Sequence, residues 1–243
     1  MADTTDGEQA GRRLRPVRTF VRREGRLTDA QKRALDALYQ RWGVSPPEGT
    51  LDLAALFGRE ASVVLEVGFG NGTALAEVAR RHPERNYLGI EVHRPGVGRL
   101  LNEMERDGID NIRVICHDAV EVMRDWLPPA SLDAIQLYFP DPWPKKRHHK
   151  RRMVQPAWVE LAARCLRPGG LLHMATDWEA YAAHMLEVMD SSSAFRNIHG
   201  AGRFAPDPGE RPATHFEQRG LRKGHVVRDL MYRRMGVAST TAR

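Results

Sequence analysis

Residues 62–72 read Ser-Val-Val-Leu-Glu-Val-Gly-Phe-Gly-Asn-Gly. The apolar run Val63–Val67 predicts a buried strand, and Gly68 ends it. Thr73–Arg81 predicts a helix that starts where the glycines stop and ends near Pro83. Glycine lets the backbone turn sharply and approach a ligand closely. A strand, a glycine turn and a helix form the opening unit of a parallel α/β sheet.

The same alternation continues downstream. Strands are expected at Tyr87–Val92, Ile112–Cys116, Leu132–Phe139 and Leu171–Ala175, with two more around Phe195–Ile198 and Val226–Tyr232. Helices are expected at Pro95–Arg106, Ala119–Trp126, Gln155–Cys165 and Trp178–Met189. The Gln155 helix is expected to close at Pro168-Gly169-Gly170. The fold class is therefore α/β: a mostly parallel, seven-stranded sheet with helices on both faces.

Three segments divide the chain. Residues 1–26 are polar and Arg-rich without hydrophobic periodicity, and are expected to form a flexible basic arm. Residues 27–60 form a helical extension. There Thr28-Asp29-Ala30-Gln31 reads as a capping box, Ala34, Leu35, Leu38 and Trp42 recur at helical spacing, and Gly43 is a plausible stop. Pro46-Pro47 and Gly49 mark a linker. Residues 61–243 form the main domain.

A chain of 243 residues can bury a full core without disulfides or metal. Cys116 and Cys165 stand apart from any CxxC or Cys/His pairing, which fits a reducing compartment and argues against a zinc site. Apolar runs are far shorter than the ~20 residues of a membrane span. The N-terminus lacks an apolar signal core and carries Asp3, Asp6 and Glu8, so a cytoplasmic location is expected. The net charge of +6 is concentrated in two clusters, seven Arg between Arg12 and Arg26 and the run Lys145–Arg152. The second cluster points to a polyanion partner.

Carboxylates recur at strand ends. Glu66 precedes the glycine turn, Glu91 ends the second strand, and Asp118 follows the third. Ligands of open α/β sheets bind outside the carboxyl ends of the strands. The dinucleotide fingerprint GxGxxG would need glycine at Thr73, whereas Gly68, Gly70 and Gly72 give GxGxG. A pyrophosphate beside Glu66 would be repelled, and a cationic amino-acid group would be welcomed. Glu91 is placed to accept from ribose hydroxyls. A nucleoside with positive charge and no phosphate is S-adenosylmethionine. The plainer alternative makes the three acids helix caps.

Past the fourth strand comes Tyr138–Arg152, YFPDPWPKKRHHKRR. Pro140 and Pro142 fix φ on either side of Asp141 and remove two backbone donors. Trp143 offers a stacking face for a base. Methylation of an exocyclic amine needs a proton acceptor, whereas guanine N7 already has a free lone pair. Asp141 suits either chemistry, so guanine and adenine both stay open at this point. Asp177 ends the fifth strand on the same edge, and Arg211–Arg219 mixes donors, acceptors and an aromatic.

LEVGFGNG, GIEVH, HDAVE, FPDPWPKKRHHKRR, ATDWE and RPATHFEQRG, in this order, closely resemble the bacterial tRNA (guanine-N7-)-methyltransferase family. The resemblance runs from about Leu65 to Arg234. It implies a Rossmann-like class I methyltransferase fold with an antiparallel final strand pair. It also implies methyl transfer from S-adenosylmethionine to N7 of guanine 46 in the tRNA variable loop, forming 7-methylguanosine. Carried onto this chain, it assigns Glu66, Gly68, Gly70, Gly72, Glu91 and Asp118 to the cofactor. Asp141 falls at the cofactor–substrate boundary as the catalytic candidate. Lys145, Asp177, Thr214, His215, Phe216 and Glu217 go to substrate, and Arg147, His148, His149, Lys150, Arg151 and Arg152 to RNA. Pro144 and His215 depart from the family pattern, where His and a longer basic residue are more usual. His215 would be mostly neutral near pH 7. Two other readings compete. An adenine-N6 methyltransferase is weakened by the lack of adjacent prolines after Asp141 and by the basic run. A non-catalytic RNA-binding subunit is weakened by the intact acids.

Overall fold

The first strand, β1 (Val63–Val67), is buried at all five positions. The same is true of β2 (Asn86–Ile90). Continuous burial marks strands covered on both faces, as parallel sheets require. The structure, a computed structural model, describes residues 19, 25–212, 217, 224 and 226–236. Among these, β1, β2, β3 (Ile112–Ile115), β4 (Leu132–Tyr138), β5 (Leu166–Thr176), β6 (Phe195–Asn197) and β7 (Arg228–Arg234) form one sheet, ordered β3-β2-β1-β4-β5-β7-β6. The pairs among β1 to β5 are parallel, while β7 runs antiparallel to both β5 and β6. The order reverses between β1 and β4, which opens a crevice at their carboxyl ends.

Alternate residues of each strand feed two cores. Leu65, Val67, Leu88, Ile90, Ile135 and Leu137 pack on one face with α7 (Pro156–Cys165) and α8 (Glu179–Asp190). Val64, Tyr87, Ile112 and Val114 pack on the other with α4 (Thr73–Arg81) and α5 (Arg94–Asp107). Each fully buried Leu or Ile contributes ~1.5–3 kcal/mol of transfer free energy.

The extension packs on both faces, Ala34 and Trp42 on the second and Val44, Leu51 and Leu53 on the first. In α1 (Asp29–Ala37) the capping box forms with both reciprocal bonds, Gln31 N–H to Thr28 Oγ1 at 3.2 Å and Thr28 N–H to Gln31 Oε1 at 2.9 Å. Leu38 interrupts the helix before a short α2 (Tyr39–Trp42). Gly43 then bridges to Val114 on the edge strand β3, and Val44 N–H donates to Val114 O at 2.9 Å. A third short helix, α3 (Leu53–Phe57), leads into β1.

Two expectations shift. Pro168-Gly169-Gly170 lies within β5 and does not close a helix: the β4 register jumps from Leu166 to Leu171, and Gly169 takes φ +81°. A bulge with a left-handed glycine absorbs the extra residues. After β3 a single turn, α6 (Ala119–Glu121), widens into a π-helix over Val122–Trp126. The basic run holds a 3₁₀ helix, Lys146–Arg151.

Candidate active site

The glycine turn works through its backbone. Gly68, Gly70 and Gly72 take φ of +74°, +62° and +78°, where a side chain would be strained. Glu91, just past β2, accepts three backbone N–H groups: Oε2 that of Gly70, in the glycine turn, at 2.8 Å, and Oε1 those of Val92 at 2.7 Å and His93 at 2.9 Å. A carboxylate offers about four acceptor positions, so one stays open for a ligand hydroxyl.

Two glycines have different tasks. A methyl group on Gly72 would sit 2.6 Å from Leu100 Cβ, so Gly72 lets α4 and α5 pack together. Like Glu66 and Asp118, it is not among the described residues that line the cleft. Gly96 had no signal in the sequence beyond its position in a helix. A methyl group there would fall 1.9 Å from the Gly70 carbonyl oxygen, so the first turn of α5 lies flush against the glycine turn.

The cleft has a volume of about 520 Å³. Gly68, Gly70, Glu91 and His93 line one side, His117 and Ala119 the floor, and Leu137–Pro144 the other side. Among the described residues its lining holds two carboxylates, Glu91 and Asp141, and no Lys or Arg. Glu66 lies just behind, on β1 and 5% exposed. Burial, and next the neighbouring charge of Glu91, push its carboxyl up to about 8. It makes no hydrogen bond among the described residues. A cation bound beside this buried acid would favour its ionised form, which suits a positively charged ligand. Asp118 is half-buried and caps α6, with Oδ1 accepting from Val120 N–H at 2.8 Å and Glu121 N–H at 3.4 Å. Its neighbours His117 and Ala119 face the cleft.

The opposite wall is built from prolines. Pro140, Pro142 and Pro144 have no N–H, so this turn carries surplus carbonyls. Phe139 and Trp143, each preceding a proline, take φ of +50° and +46°. Such conformations cost ~1–3 kcal/mol each and persist only where the surroundings impose them. Arg152 imposes one: its Nε–H donates to Pro142 O at 2.9 Å, and its guanidinium lies 4.9 Å from the Tyr181 ring centroid. Trp143 is held by its indole N–H, which donates to Thr19 O at 3.1 Å. The Arg151 guanidinium covers one Trp143 face at 3.9 Å. Thr19, from the basic arm, thus lines the cleft as well.

Asp141 is exposed and faces the cleft. Lys145, Lys146, Arg147 and Lys150 are exposed beyond it, with His148 and His149 half-buried. Desolvation and the surrounding cations push His148 below its ordinary value. Arg152 is only 3% exposed, which corrects its expected place on RNA: its guanidinium holds the turn from inside. Asp177 directly follows β5 and is half-buried. Both oxygens of Glu217 accept from Arg211, at 2.6 and 3.0 Å. Thr214, His215 and Phe216 lie outside the described residues. Among the described residues, no helix is long and apolar enough to cross a membrane, and no cluster of His, Cys, Asp and Glu could hold a metal ion.

Solved methyltransferases share this fold. The 16S rRNA methyltransferase KamB matches with a TM-score of 0.59 at 16% identity, over 80% of this chain and 99% of that one. TrmN from Thermus thermophilus matches with a TM-score of 0.52 at 18% identity, over 75% of this chain and 47% of that one. The family model described as "Putative methyltransferase" matches residues 60–230. Sheet order, glycine turn and acid-lined cleft together define a Rossmann-like methyltransferase, and its methyl donor is S-adenosylmethionine.

Curated relatives narrow this further. A tRNA (guanine-N(7)-)-methyltransferase of Alkalilimnicola ehrlichii is 59% identical, over 90% of this chain and 93% of its own length. One of Klebsiella pneumoniae is 54% identical, over 94% and 95%. The chain belongs to the tRNA (guanine-N7-)-methyltransferase family.

Proposed function

We propose that this chain methylates N7 of guanine 46 in the variable loop of tRNA, forming 7-methylguanosine. The observation that carries this reading is the junction at Asp141. There a cleft whose lining holds two carboxylates and, among the described residues, no Lys or Arg, suited to a cationic donor, meets an exposed cationic run suited to RNA. The substrate named for the relatives supports the same nucleoside.

S-adenosylmethionine supplies an activated methyl group on a sulfonium centre. Glu66, Glu91 and Asp118 hold it, with Gly68 and Gly70 keeping the cleft wall free of side chains. Guanine N7 needs no base, because its lone pair is free. Asp141 acts by orienting the guanine edge and by stabilising the positive charge that passes to the purine. Lys145, Asp177 and the segment 214–217 grip the nucleotide. Arg147, His148, His149, Lys150 and Arg151 follow the phosphates. Residues 61–243 form the transferase unit, 27–60 brace it through α5, and 1–26 form an arm that reaches the cleft at Thr19. The work is done in the cytoplasm.

The test is methyl transfer to purified tRNA, followed by nucleoside digestion and separation. The expected product is 7-methylguanosine. 6-Methyladenosine, or no methylated nucleoside, would overturn the proposal.

A further inference from the structure

Behind the cleft, Tyr138 of β4, His173 of β5, Asp229 of β7, Arg211 and Glu217 join in a buried chain of polar groups. The Arg211 side chain is 1% exposed. It forks twice. Nε–H and Nη2–H donate to Asp229 Oδ1 and Oδ2 at 2.7 and 2.9 Å. Nη1–H and Nη2–H donate to Glu217 Oε2 and Oε1 at 2.6 and 3.0 Å. Asp229 Oδ1 also meets His173 Nε2 at 2.8 Å, and His173 Nδ1 meets Tyr138 Oη at 3.1 Å. The His173 ring thus links the Asp229 carboxylate to the Tyr138 hydroxyl.

Tyr138 is the last residue of β4. The Arg211 guanidinium lies 5.7 Å from its ring centroid and 5.5 Å from that of Phe139. Phe139 is the left-handed residue that launches Pro140 and Asp141. One guanidinium therefore touches both the strand end that aims Asp141 and the carboxylate of Glu217.

We propose that Arg211 is a positioning residue for methyl transfer. It holds Glu217 and Asp229 on one side and the Tyr138–Phe139 strand end on the other, and acts through the Asp141 turn without touching the reacting atoms. The proposal rests on the tRNA guanine-N7 function stated above. A purely structural role fits the geometry less well. The β5–β7 ladder is already paired from Thr176↔Arg228 to Leu171↔Arg233, and Glu217 is not part of it. A buried ion pair adds little net stability over apolar side chains of the same size, but its hydrogen-bond geometry can fix one arrangement. Lysine keeps the charge and loses the double fork.

The test compares wild type, Arg211→Lys, Glu217→Gln and the double variant, for single-turnover transfer to tRNA and for calorimetric S-adenosylmethionine affinity. Glu217→Gln leaves the Asp229 fork in place, so β7 stays anchored. Each single variant should lose ~10- to ~100-fold in rate, since small misplacements near reacting atoms cost that much. Donor affinity should stay within ~3-fold, and the double variant should be no slower than the worse single one. Variants that match wild type would overturn the proposal. So would losses that multiply in the double variant, or that follow loss of folded protein and donor binding together. A wild-type chain that transfers nothing to tRNA would instead overturn the functional reading beneath it.

Discussion

The two walls of the cleft are held by opposite means. On one wall a carboxylate, Glu91, gathers backbone N–H groups: that of Gly70 from the glycine turn, and those of Val92 and His93 just past β2. On the other wall, donors to carbonyls hold the proline turn: Arg152 Nε–H at Pro142 O, and the turn's own Trp143 indole N–H at Thr19 O. The donor wall thus presents an acid, and the acceptor wall runs into cations. The acid needed to hold the glycines also suits a sulfonium ligand, and the basic run that follows the prolines suits RNA. Substitutions should therefore separate the walls.

The largest effect is expected on the acceptor wall alone. Asp141→Ala should slow single-turnover transfer by ~10²–10³-fold, the scale of a lost preorganised electrostatic contact. Calorimetric affinity for S-adenosylmethionine should stay near wild type. A comparable loss of donor binding would erase the distinction between the walls.

On the donor wall, Glu91→Ala strands three backbone donors. It should weaken S-adenosylmethionine binding and lower stability by ~2 kcal/mol or more, as unsatisfied buried groups do. Melting with and without the donor measures both. Unchanged donor affinity would remove Glu91 from the site.

Glu66 gives the donor wall a pH signature. Its folded value of about 8 lies above its ordinary 4.5. Between those values the folded state holds a proton that the unfolded state has lost. Stability of the donor-free protein should therefore fall as pH rises through that window, by about 1.4 kcal/mol per pH unit at most from this group, and level off above about 8. Glu66→Gln should flatten that part of the profile in denaturant titrations. A cationic donor should pull the Glu66 value down, so binding at pH 7 should release protons, seen by calorimetry in buffers of different ionisation enthalpy. Binding without proton release would contradict the assignment.

The smallest effects distinguish neighbours on the acceptor wall. Lys150→Ala should lower the log–log salt slope of tRNA binding by ~0.7–0.9, one phosphate contact, and leave melting unchanged. Arg152→Ala should lower the melting temperature and leave the slope intact, because its guanidinium is inside. Equal slope changes would place both side chains on RNA.

Much of the donor wall was legible because its signals are local. Strand, glycine turn and helix follow one another from Val63 to Arg81, and the acids stand at strand ends. The roles of Gly72 and Gly96 were not, because a glycine kept small by a neighbouring helix looks like one kept small by a ligand. Arg152 reads like the rest of its run, and only the tertiary position of Pro142 and Tyr181 turns it inward. The Trp143 contact joins positions 124 apart, from a segment without periodicity. The Arg211 fork unites residues from separate elements whose charges, read in line, look like surface. Long-range polar pairs leave no period in the sequence, so they stayed hidden while the sheet did not.

The most direct test of the central claim is chemical cleavage of tRNA after incubation with the protein and S-adenosylmethionine. Borohydride reduction and aniline cut RNA at 7-methylguanosine. A single new cut at position 46, made by wild type and lost with Asp141→Ala, is the predicted result. No cut, a cut elsewhere, or an undiminished cut with Asp141→Ala would contradict the account.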